Sequence, residues 1–261
     1  MIEKVVEVVK EAASLVKDIA FDVNAKSSNV NIVTTSDLFV QRYLHEKLSE
    51  VFPEAAFYCE EEDLQEAHKE FVWVIDPIDG TMNYSRAIPE SAISVALLQN
   101  NVPILGVVNN IFTGDVYTAV AGQGAKKNGK PISVSARDFC DGLFCTAMST
   151  YRKEMAGVCN DIIMDAYMQC NDVRRFGAAA LEICYLAEGK CELYFEIRIF
   201  PWDYAAAGLI LKEAGGVLSG FDGEHIPYDR PSTIIGANSA ENHAKLCEIV
   251  WKHLEREIEE N

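Results

Sequence analysis

Basic residues are scarce in this sequence: 23 lysines and arginines stand against 40 aspartates and glutamates in 261 residues, a net charge of −17. So acidic a surface repels phosphate backbones and anionic lipid, which argues against direct nucleic-acid or membrane binding. Any anionic ligand is repelled as well, unless cations locally reverse the sign. None of the eight cysteines forms a C-x-x-C pair or a tight cluster with histidine, which argues against zinc. With no secretory signal and a chain long enough to fold without covalent staples, reduced thiols are expected. No uninterrupted apolar run approaches membrane-spanning length, and the N-terminus, Met1-Ile2-Glu3-Lys4, is charged; a soluble protein in the cytoplasm is expected. Nor is there a G-x-G-x-x-G after a strand or a G-K-[ST], which excludes the Rossmann and P-loop nucleotide sites.

What is present is an ordinary globular composition, 49% hydrophobic, in a chain long enough for one large domain or two lobes. Val5, Val8, Val9, Ala12, Leu15, Val16 and Ile19 recur at helical spacing, which predicts an amphipathic helix from Ile2 to about Phe21. A polar loop around Lys26 follows, or a short hairpin with Ile32 and Val33; Lys26 is either a solvated charge or a functional loop residue. Asp37 opens a second helix that ends at Pro53, where an acid stabilises the helix dipole. Ala55 to Cys59 reads as a strand running into Glu60-Glu61-Glu62-Asp63. Three strands between Ser91 and Val120 read as an antiparallel meander. Beyond Asn128-Gly129, strand and helix alternate to a C-terminal helix. The boundary is expected between Gly129 and Asp141, giving an α+β lobe over 1–135 and an α/β lobe over 136–261 within one compact unit.

The central stretch is Trp73-Val74-Ile75-Asp76-Pro77-Ile78-Asp79-Gly80-Thr81. Its three leading apolar residues read as a buried strand, which Pro77 is expected to end because it cannot donate the next ladder hydrogen bond. Asp76 and Asp79, with a proline turn between them, then converge on one point. Hard oxygen donors in that arrangement suit magnesium, whose remaining ligands come from water and substrate phosphate. Gly80 permits close backbone approach, Thr81 adds a hydroxyl, and the following amides offer a phosphate cradle. Taken alone, D-P-x-D-G is equally a common turn, and both readings stand. Glu61 and Asp203 add weight to the metal, since each lies at a strand end or helix start, along the edge where alternating folds bind ligands. Clustered carboxylates repel one another, so burying them together requires cations.

Through Glu60-Glu61, Asp76-Pro77-Ile78-Asp79-Gly80-Thr81 and Trp202-Asp203-Tyr204-Ala205-Ala206-Ala207-Gly208, in that order and wide spacing, the sequence resembles the inositol monophosphatase family. These are lithium-sensitive, magnesium-dependent phosphatases, related to fructose-1,6-bisphosphatases. The resemblance implies an α/β fold, a layered α/β/α/β/α sandwich, assembled as a homodimer. It implies two or three magnesium ions per site, with Glu61, Asp76 and the Ile78 carbonyl on one and Asp76, Asp79 and Asp203 on a second. Thr81, paired with Asp37, would orient the attacking water, and Glu61 is grouped with them as catalytic. Gly80 and Thr81 would bind phosphate through their amides. The substrate wall would be Gly177, Ala178 and Ala179, with Glu196, Asp79 and Asp203 also facing the substrate, and Lys26 matches a lysine of a loop near the metals.

The implied activity is hydrolysis of inositol monophosphate or a related polyol or sugar phosphate by metal-activated water. Fructose-1,6-bisphosphatase, nucleotide 3′-phosphatase and NADP phosphatase are alternatives, and a regulatory binding protein is an alternative of another class. Departures from the family pattern bear on the substrate. Ala178 replaces a Ser or Thr, Cys59 stands where glycine is common, and Arg198-Ile199-Phe200-Pro201 replaces a Gly-Ile-His segment. Arg198 is there either a contact for a second phosphate or an outward-facing charge.

Overall fold

The computed structural model describes residues 1–17, 23–28, 31–61, 69–148 and 152–260. Val5, Val9, Ala12 and Val16 lie buried along one face of α1 (Ile2–Lys17), as spacings of three and four require; the expected continuation to Phe21 lies outside the described residues. β1 (Val23–Ser28) and β2 (Asn31–Thr34) pair antiparallel and lead into α2 (Thr35–Val51), where Val40, Leu44 and Leu48 are buried. The side chain of Lys26, on β1, is outside the described residues.

Seven strands follow in spatial order: β3 (Ala56–Cys59), β4 (Phe71–Asp79) and, after the single turn α3 (Thr81–Tyr84), β5 (Ala92–Gln99), β6 (Val102–Asn110), β7 (Val116–Val120), β8 (Ala125–Lys127) and β9 (Lys130–Pro131). β3 runs parallel to β4, and the rest is the expected antiparallel meander. Asn100 and Asn101, joining β5 to β6, both have positive φ, 48° and 62°, the conformation a two-residue hairpin turn needs and asparagine tolerates.

The second half supplies β10 (Leu143–Thr146), α4 (Ala156–Tyr167), β11 (Asp172–Arg174), α5 (Ala179–Ala187), β12 (Leu193–Ile199), α6 (Pro201–Glu213), β13 (Val217–Ser219), β14 (Ser232–Ala237) and α7 (Ala240–Glu260). Its five strands lie in the order β11-β10-β12-β14-β13.

Burial fixes the layers. Trp73 and Ile75 of β4 pack with α1 and α2, whereas Val72 and Val74, pointing the other way, join α5 and α6 in a core between the two sheets. A strand covered on both faces explains the unbroken apolar run. Phe144, Phe195 and Ile235 of the second sheet pack beneath α4 and α7. The result is the expected α/β/α/β/α sandwich. Its central contact is tight: a Cβ at Gly106 would lie 2.7 Å from the Ala206 carbonyl oxygen, so only glycine lets β6 and α6 approach this closely. All eight cysteines are free thiols. Among the described residues, no helix is long and apolar enough to cross a membrane.

One expectation is corrected here. β4 does not end at Pro77 but runs on to Asp79, because the proline falls within a bulge, where its missing N–H interrupts no regular ladder.

Candidate active site

Residues three apart on a regular strand point to opposite faces, yet Asp76 and Asp79 face the same space. The bulge resolves this. Pairing with β5 passes from Asp76↔Ser94 to Asp79↔Ala92, so β4 advances three residues while β5 advances two. The Ile78 N–H donates to Asp76 Oδ1 at 2.9 Å within it. A third carboxylate comes from the first turn of α6, where Asp203 Oδ2 accepts the Phe200 N–H at 2.7 Å. Carboxylate oxygens of Asp76, Asp79 and Asp203 all lie within 4.8 Å of one another.

Burial pushes the Asp76 carboxyl well above its ordinary range, helped by the charges of Glu60, Asp79, Asp203 and Asp37. Asp203 is raised for the same reasons, with burial first and the charges of Asp79 and Glu60 next. Asp79 is raised less, to about 7: burial is opposed by amides at the start of α5 and by that of Gly80. Its oxygens accept the Ala179 and Ala180 N–H groups at 3.2 and 2.8 Å. The cluster is therefore a concentration of hard, negative oxygen donors that the protein alone does not neutralise, which is what a divalent cation site demands.

A cavity of about 260 Å³ surrounds the cluster, and Ile78, Gly80, Thr81, Gly177, Ala178, Ala179 and Glu196 all line it. Gly80 has φ +79°, and a Cβ there would lie 2.9 Å from the Glu90 carbonyl oxygen and 3.1 Å from Ala178 Cβ. The lack of a side chain thus lets the end of β4 meet the start of α5. The Thr81 hydroxyl lies 3.0 Å from the Ile78 carbonyl oxygen and 3.3 Å from Asp37 Oδ1. Asp37 itself is buried beneath Thr81, outside the cavity lining.

Of the adjacent glutamates, Glu60 lines the cavity and Glu61 does not. The expectation that Glu61 is a ligand and catalytic group thus falls on a residue outside the cavity lining. Cys59 is buried in the core under α1 and α2, so alternation sends Glu60 to the opposite side, toward the cavity. Glu61 is buried, with its main chain held by Gln41: its N–H donates to Gln41 Oε1 at 2.9 Å, and its carbonyl accepts from Gln41 Nε2.

The sequence model of the inositol monophosphatase family matches residues 1–255. The chain belongs to the inositol monophosphatase family. The Nus factor SuhB of Escherichia coli (strain K12) is 33% identical over 221 residues, which cover 84% of this chain and 82% of that relative. Among solved structures, the IMPase of Thermotoga maritima is 27% identical with a TM-score of 0.86, covering 96% of each chain. The inositol monophosphatase from Anabaena (Nostoc) is also 27% identical, with a TM-score of 0.84, covering 97% of this chain and 95% of that one.

In this member of the inositol monophosphatase family, a second bulge decides another pair of residues. Pairing of β12 with β14 shifts between Glu196 and Ile199, and both of those residues line the cavity. Arg198 is exposed and lines a separate hollow with Arg152 and Thr233, so it does not face the cluster. Three further polar residues of the cavity wall escaped sequence reasoning, Asn83, Arg175 and Glu182, as did the apolar Met82 and Ala147. Glu182 Oε1 accepts the N–H groups of Phe176 and Gly177, both at 2.8 Å, and its Oε2 is buried with no hydrogen-bond partner among the described residues. Burial raises Glu182 to about 8, against the pull of those two amides, and raises Glu196 to about 8, reinforced by the charge of Glu182. A lone acid inside Ala-Ala-Leu-Glu-Ile-Cys is the one sequence signal that marks Glu182.

Proposed function

We propose that the chain is a magnesium-dependent phosphomonoesterase acting on inositol monophosphate or a related polyol or sugar phosphate. The observation that carries this is the Asp76, Asp79 and Asp203 cluster, whose carboxyls are all raised by burial, those of Asp76 and Asp203 also by neighbouring negative charge. Glu60, Asp76 and the Ile78 carbonyl would hold one ion and Asp76, Asp79 and Asp203 a second, within a complement of two or three. When bound, magnesium supplies positive charge to the phosphoryl and leaving oxygens and lowers the pKa of the attacking water.

The chain's own groups do the positioning. The Thr81 hydroxyl, with Asp37 behind it, holds the water by hydrogen bonding, and the amides of Gly80 and Thr81 bind phosphate. Glu196, whose Oε2 accepts the Tyr194 hydroxyl at 3.0 Å, presents its carboxyl to a hydroxyl of the alcohol. Gly177, Ala178 and Ala179 leave room for the ring by having no side chain beyond a methyl. Lys26 is the loop residue of the same proposal, a homodimer is its assembly, and the cytoplasm is its location.

The test is phosphate release from inositol 1-phosphate, fructose 1,6-bisphosphate, NADP and adenosine 3′,5′-bisphosphate, with and without magnesium. Turnover requires magnesium, and Asp76→Asn lowers kcat/KM by about 10³-fold or more, as loss of a group that stabilises the transition state does. The preferred compound separates the polyol phosphatase from the bisphosphatase, nucleotide and NADP alternatives. A second reading, a regulatory binding protein on this fold, is favoured by the name Nus factor carried by the Escherichia coli relative. Magnesium binding without turnover on any compound selects it.

A further inference from the structure

Six acids line the cavity, Glu60, Asp76, Asp79, Glu182, Glu196 and Asp203, and among the described residues one base, Arg175. Its neighbour Arg174 is engaged elsewhere: the guanidinium pairs with Asp172 and donates to the Val173 carbonyl at 2.8 Å. Arg175 is exposed at the cavity wall and has no hydrogen bond or ion pair among the described residues. Its charge is felt at the glutamate end of the cavity, where it pulls the raised carboxyls of Glu182 and Glu196 downward.

The backbone that carries Arg175 is clamped. Asn83 Nδ2 donates to the Phe176 carbonyl at 2.7 Å and to the Glu90 carbonyl at 2.8 Å, while Glu182 takes the Phe176 and Gly177 N–H groups. The residue after Arg175 is therefore tied through both its N–H and its C=O. That clamp fixes the backbone beside Arg175, a residue on the cavity rim with no polar partner among the described residues. A planar guanidinium matches phosphate with two parallel hydrogen bonds, and the cluster of aspartates, once neutralised, accounts for only one phosphate of a substrate.

Resting on the phosphatase reading above, we propose that Arg175 binds a second phosphate group of the substrate, so that the chain prefers sugar or polyol bisphosphates to the corresponding monophosphates. Of the two readings of Arg198, the outward-facing charge fits its place in a different hollow, and the second-phosphate contact passes to Arg175. The competing role for Arg175 is to screen Glu182 and Glu196.

The experiment uses the full chain with magnesium and two matched pairs: fructose 1,6-bisphosphate against fructose 1-phosphate, and inositol 1,4-bisphosphate against inositol 1-phosphate. Wild type favours the bisphosphate of at least one pair by about tenfold or more in kcat/KM, as one charge-assisted contact allows. Arg175→Gln abolishes that preference, lowering kcat/KM for the bisphosphate about 10- to 100-fold more than for its monophosphate, chiefly through KM. Arg175→Lys, which keeps the charge without the fork, falls between. Ligand-induced shift in Tm gives a measure independent of turnover, larger for the bisphosphate in wild type and equal within the pair in Arg175→Gln. Equal losses on both members of a pair make Arg175 a screen and overturn the proposal, as does a wild type without preference. If wild type is inert yet more strongly stabilised by bisphosphates, the phosphatase reading fails and the anion site stands; if it is inert and unshifted, both fall.

Discussion

Thr81 has one hydroxyl proton and two acceptors within reach, the Ile78 carbonyl and Asp37. In the proposed mechanism that competition makes Thr81 and Asp37 one device for orienting water. Thr81→Ala is expected to lower kcat about 10²-fold with little change in KM, the range for losing a positioned proton-handling group, and Thr81→Ser to restore most of it. Asp37→Asn combined with Thr81→Ala should be scarcely worse than either alone in steady-state kinetics, because residues acting as a unit are non-additive. Independent, multiplying losses would separate the two roles. At this scale the sequence was legible where a residue type was scarce or its setting distinctive: Asp76, Asp79 and Asp203 stand out beside Pro, Gly and Trp. Glu60 and Glu61 did not separate, because adjacent identical side chains differ only in the face they take. Arg175 and Glu182 were not singled out although they flank Gly177, Ala178 and Ala179, since nothing local says which charged side chains beside that turn line the cavity.

Bulges and close contacts set the geometry at the scale of elements. Alternation divides the buried residues of β4 between two cores, and the pattern holds from Val72 to Ile75. It failed at Pro77, where one extra residue re-aimed Asp79, and again near Ile199, where Glu196 and Arg198 were directed to different spaces. The approach of β6 to α6 at Gly106 offers a direct test. Gly106→Ala places a Cβ against the Ala206 carbonyl and is expected to destabilise by about 1–3 kcal/mol, the usual cost of overpacking, read as a lower urea midpoint. Because α6 also carries Asp203, magnesium affinity should fall in the same variant. A drop in stability with unchanged affinity would show that Asp203 is insulated from this contact.

For the whole molecule, metal binding at the proposed site would be coupled to folding through the acid cluster. Its members come from both halves of the chain, β4 and α6, and Asp79 is held by amides of α5 some hundred residues away. Magnesium at one hundred times its Kd should add about 2.7 kcal/mol of stability, visible as a rise in Tm that chelator reverses. Asp203→Asn should lose most of that rise, and in chelator it should melt no lower than wild type, because it removes a charge buried among like charges. A metal-free variant that melts well below wild type would mean that the hydrogen bond from Phe200 to Asp203 outweighs the repulsion.

By itself the sequence determined the alternation of helix and strand, the helix faces, the meander and the three aspartates, and its family resemblance implied the layered sandwich. Each of these rests on local periodicity, turn chemistry or a short motif. Tertiary structure alone decided that Glu60 rather than Glu61 lines the cavity, that Arg175 lines it while Arg198 lines another hollow, and that Glu182 and Asn83 clamp the turn beside Arg175. The physical reason is that a side chain's face depends on bulges and pairing partners. Those are settled by contacts such as Asp79 with Ala180 and Asn83 with Phe176, between residues that no local pattern connects.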